Sequence, residues 1–327
     1  MPERPAVGVR DVEDAARRLR GVAVRTPLIE NAELNERAGC RVLLKAECLQ
    51  RTGSFKIRGA YNLMSQLSAD EKQRGVVAWS SGNHAQGVAA AARILGMHAV
   101  IVMPEDAPRA KLENTKALGG EVVTYDRYSE DREAIGKQIA DERGSVIVPP
   151  YEHVDTIAGQ GTVGLEIAEQ AGELGLVPDR VLICCSGGGL ASGSSIALKD
   201  RFDSVIVHTV EPLGFDDTAR SLMAGERVEN ETGATSICDA LLVPTPGELT
   251  FSILKTITGP GLVVSEEEVR EAMRFAFRHL KLVVEPGGAV ALAAVLAGRV
   301  SGDVVVAVLS GGNVDESLFK EIQAERN

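Results

Sequence analysis

VVAWSSGNHAQGVAAAARILGMHAVIVM, residues 76 to 103, decides how the chain is read. Four β-prone apolar residues (Val76 to Trp79) run into a serine- and glycine-rich turn (80 to 84), then an alanine-rich helical pattern (85 to 95), then a second apolar run (99 to 103). Strand, turn, helix and strand make a βαβ unit, and the strands it joins are parallel. Such a turn lies at the carboxyl end of its strand, where doubly wound folds bind ligands.

The same alternation continues outward. Further strands are expected at 41 to 47, 121 to 124, 146 to 148, 181 to 185, 205 to 210 and 304 to 309. Helices are expected at 9 to 19, 31 to 38, 108 to 118, 129 to 142, 162 to 171, 190 to 199, 266 to 279 and 289 to 297. The fold class is therefore α/β, with two doubly wound three-layer domains, mostly parallel sheets and a ligand cleft between them. Pro149-Pro150 marks a boundary. Residues 75–149 are expected to form a small mobile domain, and 1–74 with 150–327 a larger, discontinuous one.

Composition bounds the partners. The 327 residues carry a net charge of −11, which opposes nucleic acid and anionic membrane surfaces. Five cysteines without CxxC spacing read as reduced thiols in a cytoplasm rather than as a zinc site or disulfide framework. The charged N-terminus shows no signal peptide, and no apolar run is long enough to span a bilayer.

One lysine stands apart. In SFKIRGA (54 to 60) Ser54 is expected as an N-cap and Phe55, Ile57, Leu63 and Met64 as an apolar face, so Lys56 lies near the positive end of a helix. Alone, that is the pattern of a solvated lysine. The turns around it argue otherwise. SSGNH (80 to 84), SGGGL (186 to 190) and SGGN (310 to 313) each close an apolar strand. Bare backbone N–H groups followed by a helix start cradle a phosphate or carboxylate. Gly136-Lys137 is followed by Gln138, so no nucleoside triphosphate loop is present, and no turn carries GxGxxG with an acidic residue at dinucleotide spacing. A phosphate-bearing cofactor together with a lysine able to form a Schiff base points to pyridoxal phosphate.

SFKIRGA, SSGNHAQG (80 to 87), PPY followed by IAGQGT (149 to 162), SGGGL, EPLGFDD (211 to 217), EPGGAVALAA (285 to 294) and LSGGNVD (309 to 315) together resemble the fold-type II pyridoxal phosphate enzymes. The branch they resemble is that of the threonine/serine dehydratases and serine racemase, and the motifs run in the same order over nearly the whole chain. The resemblance implies that Lys56 carries the cofactor, that Phe55 packs on its ring and that Asn83 bonds the ring hydroxyl. It further implies that Ser186, Gly187, Gly188, Gly189 and Leu190 hold the phosphate, with Ser186 where a fourth glycine is commoner. Ser310 would face the ring nitrogen; a neutral hydroxyl there suits β-elimination better than transamination. Glu285 is either a partner of the ring region or a helix cap.

Ser80, Ser81, Gly82, Asn83 and His84 are expected at the substrate carboxylate. Ser81 carries either that role alone or, as in racemases, proton transfer on the face opposite Lys56. Glu211, the Phe215 carbonyl and Asp217 resemble the family's cation site, suited to Mg²⁺, Ca²⁺ or a monovalent ion. Gly214-Phe215 departs from the small residues usual there. Arg132 resembles a small-domain arginine linked in serine racemase to closure; its other reading is a plain exposed arginine.

The implied activity is an ammonia-lyase that takes a β-hydroxy amino acid, L-threonine or L-serine first, to a 2-oxo acid and ammonia. Lys56 would be the α-proton base. Alternatives are a 3-hydroxyaspartate dehydratase, a serine racemase, a β-replacement enzyme and a non-catalytic phosphate or amino-acid binding module. A homodimer is expected. With Asn327 shortly after LSGGNVD, no regulatory domain is expected, which suits amino-acid catabolism.

Overall fold

The structure, a computed structural model, describes residues 6–107 and 109–325. Pro108, where a helix is expected to begin, and the first five residues, on which the signal-peptide reading rests in part, lie outside them. The strands in chain order are β1 (Leu28–Glu30), β2 (Arg41–Ala46), β3 (Val76–Trp79), β4 (Ala99–Pro104), β5 (Glu121–Tyr125), β6 (Val146–Ile147), β7 (Arg180–Cys184), β8 (Ile206–Pro212), β9 (Leu262–Val264) and β10 (Val304–Leu309). They form two sheets, ordered β1-β2-β10-β7-β8-β9 and β5-β4-β3-β6. Every pairing is parallel except β1 with β2. The central strands β4, β7 and β10 are valine- and isoleucine-rich and buried nearly end to end, as strands covered on both faces must be.

The place of β10 decides where the chemistry goes. It pairs in parallel with both β2 and β7, so the carboxyl ends of all three strands share one edge. The lysine segment leaves β2 there, Ser186 follows β7 and Ser310 follows β10. Phe55 N–H donates to the Ser310 carbonyl (3.2 Å) and Gly312 N–H to the Gly53 carbonyl (2.9 Å), while Ser54 forms an isolated bridge with Gly311. That bridge overturns the expected cap. Ser54 is extended (φ −162°, ψ 163°), its buried hydroxyl has no partner among the described residues, and the lysine helix starts at Lys56 itself, running to Ser65. Pairing with the third turn holds Ser54 away from the helix axis.

A second difference concerns the helix expected from residue 162. It spans Val154–Glu173, because the glycines that argue against a helix in IAGQGTVG are contact points rather than breakers. A Cβ on Gly159 would meet the Arg58 carbonyl at 2.5 Å, and one on Gly161 the Gly193 carbonyl at 2.6 Å. The long helix thus crosses the lysine helix and the helix Gly189–Arg201 with backbones almost touching. Several elements carry too few turns of periodic pattern to stand out in sequence: Ala69–Arg74, Asp217–Ala224, Glu248–Ile257, β9 and Glu316–Ala324.

Behind the lysine helix lies a buried ion network. Arg58 donates to both oxygens of Glu47 (2.8 Å each) and to both of Glu166 (2.7 and 2.9 Å). Lys45 donates to Glu166, Gln170 and the Thr26 carbonyl. Two cations and two carboxylates balance, with Arg58, Glu47 and Lys45 essentially inaccessible. Arg58→Met strands Glu47 without its cation, and is expected to lower unfolding free energy by about 3–5 kcal/mol in urea titration. A loss below about 1 kcal/mol would show the network to be energetically idle.

Candidate active site

Lys56 lies where the lysine helix, the turn after β3 and the segment Pro149–Tyr151 meet. Its Nζ donates to the Pro150 carbonyl (2.9 Å) and stands 5.2 Å from the Phe55 ring centroid. No carboxylate pairs with it among the described residues, and burial holds its pKa down at about 8. Desolvation is the main cause of that shift. His84, from the next turn, is buried with Nε2 2.8 Å from the Val148 carbonyl; burial, then the Lys56 charge, push it down to about 3, so it is neutral. Its side chain therefore faces the small sheet, and only its main chain belongs to the turn.

Asn83 opens the helix Asn83–Leu95 and bridges the two sheets. It donates to Glu285 Oε1 (2.6 Å) and accepts from Asn313 Nδ2 (2.7 Å), which also donates to the Thr52 carbonyl. Glu285 occupies the N-cap position of the helix Pro286–Leu296 but makes no side-chain cap bond; it is turned to Asn83 instead. Burial raises Glu285 to about 7. Gly311 is fixed by the same contact, since a Cβ there would collide with Glu285 Oε1. Ser310 is buried beside this group. Asn313 had no role from sequence, although it lies in a turn already singled out.

After β7 the chain turns through Ser186, Gly187, left-handed Gly188 (φ 89°) and Gly189, which starts a thirteen-residue helix with Leu190 in its first turn. The N–H groups of Gly188, Gly189 and Leu190 donate to no main-chain carbonyl among the described residues. A Cβ on Gly187 would strike the Tyr151 ring, and one on Gly189 would meet Gln160 Oε1 at 2.5 Å. The turn is thus an open set of donors that only glycine can leave clear, which fits a phosphate. Sequence marked Tyr151 only as part of PPY, with no role, and left unmarked Thr250, whose hydroxyl donates to the Gly187 carbonyl (2.7 Å), because their neighbours come from distant segments.

Beside the first turn, Ser80 and Ser81 line a recess of about 70 Å³ together with Val102, Pro104, Tyr125, Arg127 and Arg132. Ser80 Oγ accepts from Gly82 N–H (3.2 Å), stiffening the turn. Arg127 is paired with Asp106 (2.7 Å). Arg132 is exposed at the first turn of the helix Arg132–Arg143.

These parts, a half-buried lysine without a carboxylate partner among the described residues and a turn of open N–H groups after β7, are matched by known proteins. The family described as "Pyridoxal-phosphate dependent enzyme" matches residues 19–311. The chain belongs to that family. Its cofactor is pyridoxal phosphate, and the lysine and glycine turn fit it. The chain is 44% identical to an L-threo-3-hydroxyaspartate ammonia-lyase of a Pseudomonas species, over 95% of this chain and 97% of that one. It is 41% identical to an L-threonine ammonia-lyase of Thermotoga maritima, over 97% and 78% respectively. The structure of maize serine racemase superposes with a TM-score of 0.91 at 36% identity, covering 97% of this chain and 96% of that one.

Of the three candidate cation ligands, Glu211 and Asp217 lie close enough for the Asp217 charge to act on Glu211. Glu211 is buried and accepts from the N–H groups of Thr218 (3.0 Å) and Ala219 (2.7 Å), the start of the helix Asp217–Ala224. Asp217 Oδ1 accepts from Asn230 (2.6 Å), while its Oδ2 is buried without a partner among the described residues. Phe215 is held in the intervening turn by its N–H to the Pro212 carbonyl (3.0 Å). Burial and then Asp217 raise Glu211 to about 8; burial raises Asp217 to about 6. No group of three or more His, Cys, Asp or Glu that could hold a metal occurs among the described residues, so a cation here needs main-chain oxygen and water as well.

The raised carboxylates fix a pH dependence. Each holds its proton more tightly folded than unfolded, so its stabilisation is present at low pH and is lost as pH rises through about 7 for Glu285 and about 8 for Glu211. Neutral His84 acts in the opposite sense, but only below its ordinary value of 6.5, and Lys56 gains only above about 8. The melting temperature of cofactor- and cation-free protein is therefore expected to fall between pH 6.5 and 8, and millimolar Ca²⁺ to recover part of the loss. A flat profile in both conditions would contradict the buried-carboxylate reading. No helix among the described residues is long and apolar enough to cross a membrane.

Proposed function

We propose that this protein is an ammonia-lyase that takes a β-hydroxy amino acid, L-threonine or L-serine, to a 2-oxo acid and ammonia. The observation that carries the reading is Lys56, half-buried with no carboxylate partner among the described residues and held at about 8, its Nζ on the Pro150 carbonyl. Pyridoxal phosphate, when bound, supplies an electron sink for the substrate's α-carbon. The chain supplies the rest. Lys56 Nζ takes up the α-proton, its neutral form being accessible near physiological pH. The turn Ser80 to His84 binds the substrate carboxylate, with Ser81 facing it and the free N–H groups at the start of the helix Asn83–Leu95 as donors. Phe55 packs on the ring. Asn83, oriented by Glu285 and Asn313, bonds the ring hydroxyl, and the hydroxyl of Ser310 meets the ring nitrogen without adding charge.

A second reading, 3-hydroxyaspartate as substrate, is favoured by the recess next to Ser81. Two guanidinium groups, Arg127 and Arg132, and the Tyr125 side chain line it, which suits a second carboxylate. The Pseudomonas relative's name, L-threo-3-hydroxyaspartate ammonia-lyase, supports it. In the same reading residues 75–149 close as a small domain over 1–74 and 150–327. Glu211, the Phe215 carbonyl and Asp217 hold Mg²⁺, Ca²⁺ or a monovalent cation. The protein works as a cytoplasmic homodimer on a small amino acid, without nucleic acid or membrane.

Lys56→Ala is expected to lose both the cofactor's near-visible absorbance and at least 10³-fold of oxo-acid release, as expected for removal of a general base worth about 10²–10⁴-fold. Retained turnover would sink the assignment. Oxo-acid release from stereoisomers of threonine, serine and 3-hydroxyaspartate separates the two substrate readings. If the dicarboxylate is the substrate, Arg127→Ala and Arg132→Ala raise its KM and leave that of serine unchanged.

A further inference from the structure

We propose that Thr250 is the positioning residue that shapes the phosphate-binding nest after β7. This rests on the reading of residues 186–190 as that nest. Thr250 comes from the helix Glu248–Ile257, a segment sixty residues downstream with no motif of its own, and it is fully buried.

Its hydroxyl donates to the Gly187 carbonyl at 2.7 Å. A trans peptide points its C=O and the following N–H in opposite directions. Anchoring the Gly187 carbonyl on Thr250 therefore turns the Gly188 N–H away from Thr250. Gly188 is left-handed (φ 89°, ψ −6°) and Gly189 begins a right-handed helix, the alternation that gathers successive N–H groups into a concavity. Without Thr250 the Gly187 carbonyl would be open to Ala191 N–H one helical turn on, a bond that would extend the helix back through Gly188 and undo its left-handed turn. No such bond forms among the described residues.

The opposite side of the residue completes the bracket. The Thr250 carbonyl accepts from Ser192 Oγ (3.1 Å), in the first turn of the helix that the nest opens. A Cβ on Gly188 would meet Thr250 Cβ at 2.9 Å, so no other residue fits between them. Thr250 is itself placed by Glu152, whose Oε1 accepts the Leu249 N–H in the same helical turn. Glu152 follows Pro150, the acceptor of Lys56 Nζ, and Tyr151, whose ring covers Gly187. One short segment therefore sets both the lysine and, through Thr250, the donors that would hold the phosphate.

Thr250→Val keeps the volume and removes the hydroxyl; Thr250→Ser keeps the hydroxyl. In the holoenzyme, Thr250→Val is expected to weaken pyridoxal phosphate retention on the order of tenfold and Thr250→Ser by less than about twofold, the scale of one buried hydrogen bond. The bound cofactor's ³¹P resonance is expected to shift in Thr250→Val only, with the melting temperatures of the cofactor-free forms alike. Wild-type retention and an unmoved ³¹P resonance in Thr250→Val overturn the proposal. Gly188→Ala separates the two ways to fail. If it loses the cofactor while Thr250→Val does not, the nest stands and Thr250 has no part in it. If neither loses it, the nest reading falls and the proposal with it.

Discussion

Everything near Lys56 depends on β10 lying between β2 and β7. Parallel pairing on both sides puts the exits of three strands, far apart in sequence, on one edge of one sheet. The antiparallel contact of Ser54 with Gly311 and the Phe55 bond to Ser310 then fix the lysine turn on the serine turn. Two hydrogen-bonded backbones leave little freedom between them. The lysine helix consequently starts at a set angle, and its first side chain meets the Pro150 carbonyl.

Electrostatics follows from that placement. The lysine helix turns one side toward a saturated buried network, where Arg58 and Lys45 are balanced by Glu47 and Glu166. Two positions earlier Lys56 has no such partner among the described residues, and desolvation lowers its pKa to about 8. The same helix thus carries one cation held charged by carboxylates and one whose neutral form lies within reach of physiological pH. Glu285 is treated similarly across the cleft, buried and bonded only to a neutral amide, so its ionisation is costly.

Much of this was legible in the residues. Periodicity located the principal strands and helices, because apolar runs of four to six residues between turn residues have few other readings. The three strand-end turns and Lys56 were legible as chemistry for the same reason: glycine and serine in that setting leave donors open. What misled was local propensity. Ser54 looked like a cap and the long helix was expected only from residue 162, yet pairing with Gly311 and the crossing of close-packed helices decided otherwise. The roles of Asn313 and Tyr151, and Thr250 altogether, could not be found that way, since each acts on a residue from another segment.

The α/β class, the parallel sheets and the family to which the chain belongs are written in short-range pattern, and so is the expectation of a reactive Lys56. Which turn faces which, that Glu285 serves Asn83 rather than its own helix, and that burial lowers the Lys56 pKa came from the folded chain. Those outcomes depend on distances between segments and on how much water is excluded, and neither quantity is a property of any one stretch of chain.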